Sequence, residues 1–409
     1  MKEIIYTSLF PNFEKDDVSL CFRLLFSSLK KGEYIKELEL NFQNKFGFNQ
    51  CLSFNSGRSC LMAILEAINI KKGDEVIVQG FTCNAVINPI INIGAKPVYV
   101  DLKKDLNIDE KKIQSFISSK TKAVIVQHTF GWPAEIEEIR DICKENNIYL
   151  IEDCAHSLGA KYNGKYVGSF GDISFFSFGR DKIISSVFGG MVVLNNQSLK
   201  IKEYAFPSNL WTINQLFYPI LMQYVFLPLF RFRMGRLFYS LMFELNIFSL
   251  RSVTKKENKG MLPNYFGKKM PNALARLALN QLDKIDKFNE KRKQAAKLYF
   301  KEFKNTSIKM VFSEEYGKRE PVFLKFPILV KNPETILKKL RKENIFLNDG
   351  WRETVIVPPL TNQKTMKYKG DCILSESMSK QIISLPTHMK ITNKDIVKIA
   401  SIIKKEYNY

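Results

Sequence analysis

Four short stretches of this chain carry residue types that can do chemistry. In Ile151-Glu-Asp-Cys-Ala-His156 an apolar run leads straight into two carboxylates, and a buried acid is costly unless it meets a positive partner. Asp153 could salt-bridge the protonated ring nitrogen of a cofactor; a helix cap or a metal ligand is the plainer alternative. Gly171-Asp-Ile-Ser-Phe-Phe-Ser-Phe-Gly-Arg-Asp-Lys182 ends on a lysine just past a hydrophobic run, with Gly189 and Gly190 behind it. A lysine of lowered pKa in such a place forms Schiff bases, although a solvated surface lysine reads the same in isolation. Asn55-Ser-Gly-Arg-Ser59 opens the amphipathic run Leu61 to Ile70, so its backbone N–H groups suit either an anion or a simple N-cap. Ser384-Leu-Pro-Thr-His388 indicates only a turn. A metal site finds poor support, because the three histidines (His128, His156, His388) and seven cysteines show no clustered ligand spacing.

These stretches need elements to place them. Between residues 60 and 200 short β-branched runs alternate with amphipathic stretches. Strands are expected at Glu75–Val78, Pro97–Val100, Ala123–Val126, Tyr149–Ile151 and Ile173–Phe176, and helices at Asn84–Ile93, Asp109–Ile117 and Pro133–Asn146. Such alternation predicts an α/β fold, a mostly parallel sheet sandwiched by helices, with ligands at the carboxyl ends of the strands. Beyond residue 260 the pattern predicts a long helix from Asn272 to about Phe303, a strand at Phe323–Val330, and helices at Pro333–Asn344 and Asn393–Lys405. This smaller C-terminal α+β domain suggests a three-part division: 1–204 as a large domain, 205–260 as an insertion, and 261–409 as the long helix and small domain.

The insertion is anomalous. No charged residue occurs from Ala205 to Phe230, and an aromatic stretch continues past Arg231, Arg233 and Arg236 to about Leu250. Its length approaches the roughly 20 apolar residues that cross a bilayer, but Pro207, Pro219 and Pro228 interrupt it. Three readings stand: a buried helical insertion or dimer contact, a membrane-surface or re-entrant patch, and a spanning helix.

Composition narrows the class. At 45% hydrophobic and 25% charged, the chain falls among globular proteins and outside the disordered ones. Its net charge of +21 comes largely from lysines scattered in short pairs, which fits solvated helix faces, a polyanionic ligand such as a nucleotide diphosphate, or an anionic membrane. No basic block interleaved with aromatics points to nucleic acid. Sparse, odd-numbered cysteines and an N-terminus without an apolar leader predict a reduced, cytoplasmic protein, and the membrane-surface reading of the insertion would make it peripheral to the inner face of the membrane.

Taken in order, Ser56-Gly-x-x-x-Leu61, Gly73-Asp-Glu-Val-Ile-Val78, Gly131-Trp-Pro-Ala134, Glu152-Asp-Cys-Ala-His156, the Gly171–Lys182 stretch with its trailing glycines, and Ser384-Leu-Pro-x-His388 resemble the DegT/DnrJ/StrS-type sugar aminotransferases. The resemblance covers nearly the whole chain outside 205–260. It implies a type I aspartate aminotransferase fold and pyridoxal 5'-phosphate (PLP) as cofactor. Lys182 would carry the cofactor as a Schiff base and shuttle a proton, Asp153 would keep the pyridine nitrogen protonated, and His156 would lie by the ring. Ser177 and the amides of Gly57, Arg58 and Ser59 would cradle the phosphate. An amino donor, usually glutamate, and a keto sugar, usually nucleotide-linked, would be the substrates of a homodimer with shared active sites, serving surface polysaccharide, lipopolysaccharide or glycolipid biosynthesis.

The chain also departs from the pattern. Arg58 stands where the family has Thr, and Cys83 where an aromatic stacks on the ring, with Phe81 as a candidate substitute. Phe266-Gly-Lys-Lys-Met270 replaces a segment whose asparagine reaches the partner subunit, leaving Lys268 or Lys269 for that phosphate contact. These changes keep two alternatives open: a membrane-docked protein with a decayed or regulatory PLP site, and a PLP-dependent sugar dehydratase, against which Lys182 itself speaks because such relatives carry histidine there.

Overall fold

The computed structural model describes residues 4–7, 12–230, 232–244, 253–347 and 350–407. Its centre is a seven-stranded sheet of β1 (Gln50–Phe54), β2 (Glu75–Gln79), β3 (Lys96–Val100), β4 (Thr121–Gln127), β5 (Tyr149–Asp153), β6 (Ile173–Ser177) and β7 (Gly190–Leu194), in the spatial order β1-β7-β6-β5-β4-β2-β3. Only β7 runs against its neighbours. The expected strands are present; β1 and the reversed β7 are additions that the alternating pattern does not announce.

Helices α1 (Lys15–Leu24), α2 (Tyr34–Phe46), α3 (Gly57–Ala67), α4 (Asn84–Asn92), α5 (Glu110–Phe116) and α6 (Ile136–Glu145) cover this sheet. Their ends follow from local chemistry. Ser56 caps α3 by accepting from the Ser59 amide, Asp109 caps α5 through the Lys111 amide, and α2 stops at Gly47, whose φ of 69° suits glycine. Phe42 of α2 packs edge-on against Phe176 of β6, fixing helix to sheet by apolar burial.

The uncharged run folds as α7 (Asn209–Leu221), a π-helical turn at Met222–Phe226, a short turn at Leu227–Leu229, and α8 (Arg233–Glu244). Leu216, Tyr218, Ile220, Met222 and Phe226 enter the main core, as the buried-insertion reading expects. Among the described residues no helix is long and apolar enough to cross a membrane. Arg231 and residues 245–250, part of that run, lie outside the described residues.

Downstream, the single long helix expected from Asn272 to Phe303 is two, α9 (Asn272–Leu282) and α10 (Ile285–Phe303). The break sits where Lys284 turns to meet Asp16 at 2.6 Å and Asp17 at 3.1 Å. Consequently α9 packs in the main core and most apolar residues of α10 in a second one. That second core lies under α11 (Pro333–Lys342), α12 (Ile373–Gln381), α13 (Asn393–Tyr407) and an antiparallel sheet of β8 (Lys309–Met310), β9 (Lys325–Leu329) and β10 (Ile382–Pro386).

Successive side chains of β5 point to opposite faces, and Glu152 shows what one of these faces requires. It is fully buried; Oε1 accepts from the amides of Phe170 and Gly171, and Oε2 from that of Gly168, each at 2.7 Å, with His128 Nε2 at 3.2 Å. His128, Glu152 and Cys154 bring their polar atoms within 4.8 Å of one another, but Glu152 is already occupied by backbone donors. Glu152→Ala strands those donors and should cost about 3 kcal/mol or more of unfolding free energy in urea melts; Glu152→Gln, which keeps one acceptor oxygen, should lose less.

Candidate active site

The carboxyl ends of β5 and β6 lie side by side, with Asp153 in register with Gln127 and Phe175. They open on a cavity of about 540 Å³ that brings together Gly57, Arg58, Cys83, Asp153, His156, Ser177 and Lys182. Ser59 stays outside it: its amide is capped by Ser56 Oγ at 3.1 Å, and its hydroxyl joins Asn55 and the Gly267 amide.

Asp153 is 3% exposed and accepts one hydrogen bond, from the Ala155 amide at 3.0 Å. Burial pushes its pKa up to about 6, against the pull of Lys182 and His128. A carboxyl short of partners inside a cavity suits a cationic ligand group. His156 is driven well below its ordinary pKa by burial, with Lys182 and Lys325 adding to the effect, so the ring is neutral at pH 7. Its Nδ1 accepts from the Phe130 amide at 3.4 Å, which leaves the proton on Nε2.

A close approach of backbones makes the anion cradle. A Cβ on Gly57 would sit 3.0 Å from Ser177 Cβ, and one on Gly190 would sit 2.9 Å from the Gly57 nitrogen. At Gly190 only glycine fits, because the obstructing atoms include backbone, while a side chain at Gly57 would have to displace Ser177; the first N–H groups of α3 have no partner within their own helix. The cradle, the underpaired acid and the lysine fit a phosphorylated cofactor with a basic ring nitrogen.

Several departures acquire partners. The Arg58 guanidinium does not serve the cradle: Nε pairs with the buried Glu257 at 2.6 Å and the group lies over Phe266. Cys83 caps α4 and lines the cavity. Phe81 is no substitute stacker, being fully buried against Trp351. Trp351 lines the cavity, as do Phe175 and Phe188, and stands edge-on to His156 with ring centroids 4.9 Å apart. Lys269 is bound to Glu203 at 2.7 Å.

Sequence reading also missed the straps on the lysine loop. Asn12 Nδ2 donates to the carbonyl of Lys182 and, at 3.1 Å, to that of Ile183. Buried Arg292 holds the Asn12 side-chain oxygen at 2.8 Å and reaches Leu324 and Thr387 in the small sheet's surroundings. Gln281 accepts from the Ser185 amide and donates to the Asn12 carbonyl. Across the loop, Lys325 stands 3.9 Å from Asp181 and Arg180 lies over Tyr218 of α7 at 3.8 Å. His388 holds the N-terminal segment, with Nε2 2.6 Å from the Tyr6 carbonyl oxygen.

An open α/β sheet with a lysine, a buried acid and a glycine-lined anion cradle at its strand ends defines the class of aminotransferase-type cofactor sites. The chain belongs to the DegT/DnrJ/EryC1/StrS aminotransferase family, whose pattern matches residues 14–214 and 239–404. It is 28% identical over 411 residues to the GDP-perosamine synthase of Escherichia coli O157:H7, covering 99% of this chain and 98% of that one. Among solved structures it resembles Helicobacter pylori PseC, an aminotransferase involved in the biosynthesis of pseudoaminic acid (TM-score 0.76, 23% identity, all of both chains), and the PLP-form of the putative sugar aminotransferase Spr1654 from Streptococcus pneumoniae (TM-score 0.74, 22% identity, 98% of each).

The acid makes the stability of the fold pH-sensitive. A folded-state pKa near 6 against an ordinary 3.8 means that the folded form holds the proton more tightly, so stability falls as pH rises between these values and stays lower above them. In cofactor-free protein Asp153→Asn should therefore gain up to about 3 kcal/mol at pH 7 and nothing below pH ~4, read by urea melts at both pH values.

Proposed function

We propose that this chain transfers an amino group, from glutamate, to a nucleotide-linked keto sugar, with PLP as its cofactor, in the making of surface polysaccharide or glycolipid. The observation that carries the reading is the convergence of Lys182, the underpaired Asp153 and the Gly57/Ser177 cradle on one cavity of a family member. The GDP-perosamine synthase relative and the PseC-like fold support the sugar as acceptor.

PLP supplies a carbonyl that condenses with amines and a ring that accepts electrons. The Lys182 amine would hold it covalently and, once displaced by the donor, move a proton to and from the substrate carbon. Asp153, ionised by a cationic partner, would keep a proton on the ring nitrogen. His156 Nε2 would donate to oxygen at the ring edge. The Gly57 and Arg58 amides, the α3 dipole and the Ser177 hydroxyl would bind phosphate. Trp351 would exclude water from the far wall. Arg58, through Glu257, would anchor the turn at the end of the insertion to the cradle.

We also propose a homodimer whose active sites lie at the subunit boundary, and a peripheral place at the inner face of the membrane through 205–250.

Lys182→Ala tests the reading directly. Protein mixed with PLP and reduced with borohydride should gain the cofactor's mass on Lys182 in the wild type and not in the variant, and amine transfer should fall by about a thousandfold. Undiminished transfer in the variant rejects the assignment. Product that lacks a hydroxyl, formed without consumption of glutamate, would instead indicate a dehydratase.

A further inference from the structure

The insertion packs one apolar side inward and leaves another bare. Met222, Phe226 and Phe230 are buried, with Tyr239 of α8 against the two phenylalanines. On the outer side of α8, Leu237 (63% exposed), Phe238 (44%) and Leu241 (57%) share one face at helical spacing. Tyr224, 62% exposed, meets Phe22 of α1 with ring centroids 6.3 Å apart, and Phe26, at 90%, follows α1 directly. A helix apolar on both sides has a second surface to cover.

Charge indicates what covers it. From Tyr204 to Phe243 the chain has no Asp or Glu, while Arg231, Arg233 and Arg236 fall within that stretch. Arg23 and Lys31, both exposed, flank Phe22 and Phe26. Exposed aromatic and leucine side chains on a stretch whose only charged residues are arginines match the interface of an anionic bilayer. A second copy docked here about a two-fold axis would offer no carboxylate from this stretch to balance the other's arginines. The family pattern leaves out residues 215–238, which hold Tyr224, Leu237 and Phe238, while Phe22, Phe26 and Leu241 lie within it.

We propose that α8, the π turn before it and the end of α1 form a docking surface for anionic phospholipid, with Leu237, Phe238, Leu241, Tyr224, Phe22 and Phe26 entering the headgroup boundary. This rests on the peripheral placement proposed above and gives it residues and a lipid charge.

The test is co-sedimentation of the full chain with vesicles of equal parts phosphatidylglycerol and phosphatidylcholine, against phosphatidylcholine alone. The wild type should pellet with the anionic vesicles at low salt and be largely released at high salt. The Leu237→Ser/Phe238→Ser/Leu241→Ser variant should bind about tenfold or more weakly, and Arg23→Glu/Lys31→Glu should weaken binding chiefly at low salt. Should the triple variant fail to melt cooperatively, Phe26→Ser, at a site with almost no packing, takes its place. Wild type remaining in the supernatant, or variants that bind undiminished, overturns the proposal. A triple variant that halves the particle mass in sedimentation velocity without changing vesicle binding assigns the face to a second copy instead. Amine transfer measured without vesicles should be unchanged in every variant. Absence of transfer in the wild type would count against the transaminase reading and leave the vesicle result standing.

Discussion

Two neighbouring acids on one strand set the terms for the rest of the molecule. β5 delivers Glu152 and Asp153 to opposite faces of the sheet at the same depth. Three amides and an imidazole satisfy Glu152, which makes it part of the scaffold. Asp153 receives a single amide and faces a cavity. A charge buried with too few partners destabilises a fold, so its retention makes sense where a ligand completes the set. The cradle, the neutral His156 and the lysine loop are arranged around that deficit.

A covalent cofactor site demands that the lysine backbone stay put while its side chain works. Lys182 lies in a loop rather than an element, and the loop is held by groups from distant parts of the chain. Asn12 binds it from the N-terminal segment, Gln281 from α9, and Arg292 braces Asn12 from α10. Burial pushes Arg292 down to about 9, and its hydrogen bonds to Asn12, Leu324 and Thr387 offset part of that cost. Val187, which lines the same cavity, has a φ of 70°. For a β-branched residue this is strain of about 1–3 kcal/mol, sustained only where surrounding structure fixes the backbone. The straps supply that fixation.

The division between what the sequence discloses and what it hides follows these contacts. Asp153, Lys182, His156 and Gly57 are legible because each sits within a few residues of the strand or helix end that aims it, so local pattern carries the geometry. Ser59 is misleading for a local reason as well: whether its amide faces ligand or Ser56 depends on a rotamer, not on spacing. Trp351, Asn12, Gln281 and Arg292 are invisible in the pattern, since they reach the site through the packing of residues far apart in sequence. The direction of β7 is hidden for the same reason, because a β-branched run reads alike both ways. The break between α9 and α10 carries no Gly or Pro; the carboxylates of α1 that bind Lys284 lie more than 260 residues away.

The insertion joins these themes. An uncharged run reads equally well as core, interface or membrane segment, because composition gives apolar content and not its direction. Folding resolves one half of the ambiguity: Tyr218 seats Arg180 of the lysine loop, and the turn at the end of the insertion places Glu257 on Arg58 beside the cradle. The inward side thus braces the lysine loop at Arg180 and the start of α3 at Arg58. The outward side is left apolar, on a stretch without Asp or Glu from Tyr204 to Phe243. Leu237 and Leu241, both more than half exposed, contribute little packing, so stability gives little reason for those side chains, and the lipid contact proposed above gives one.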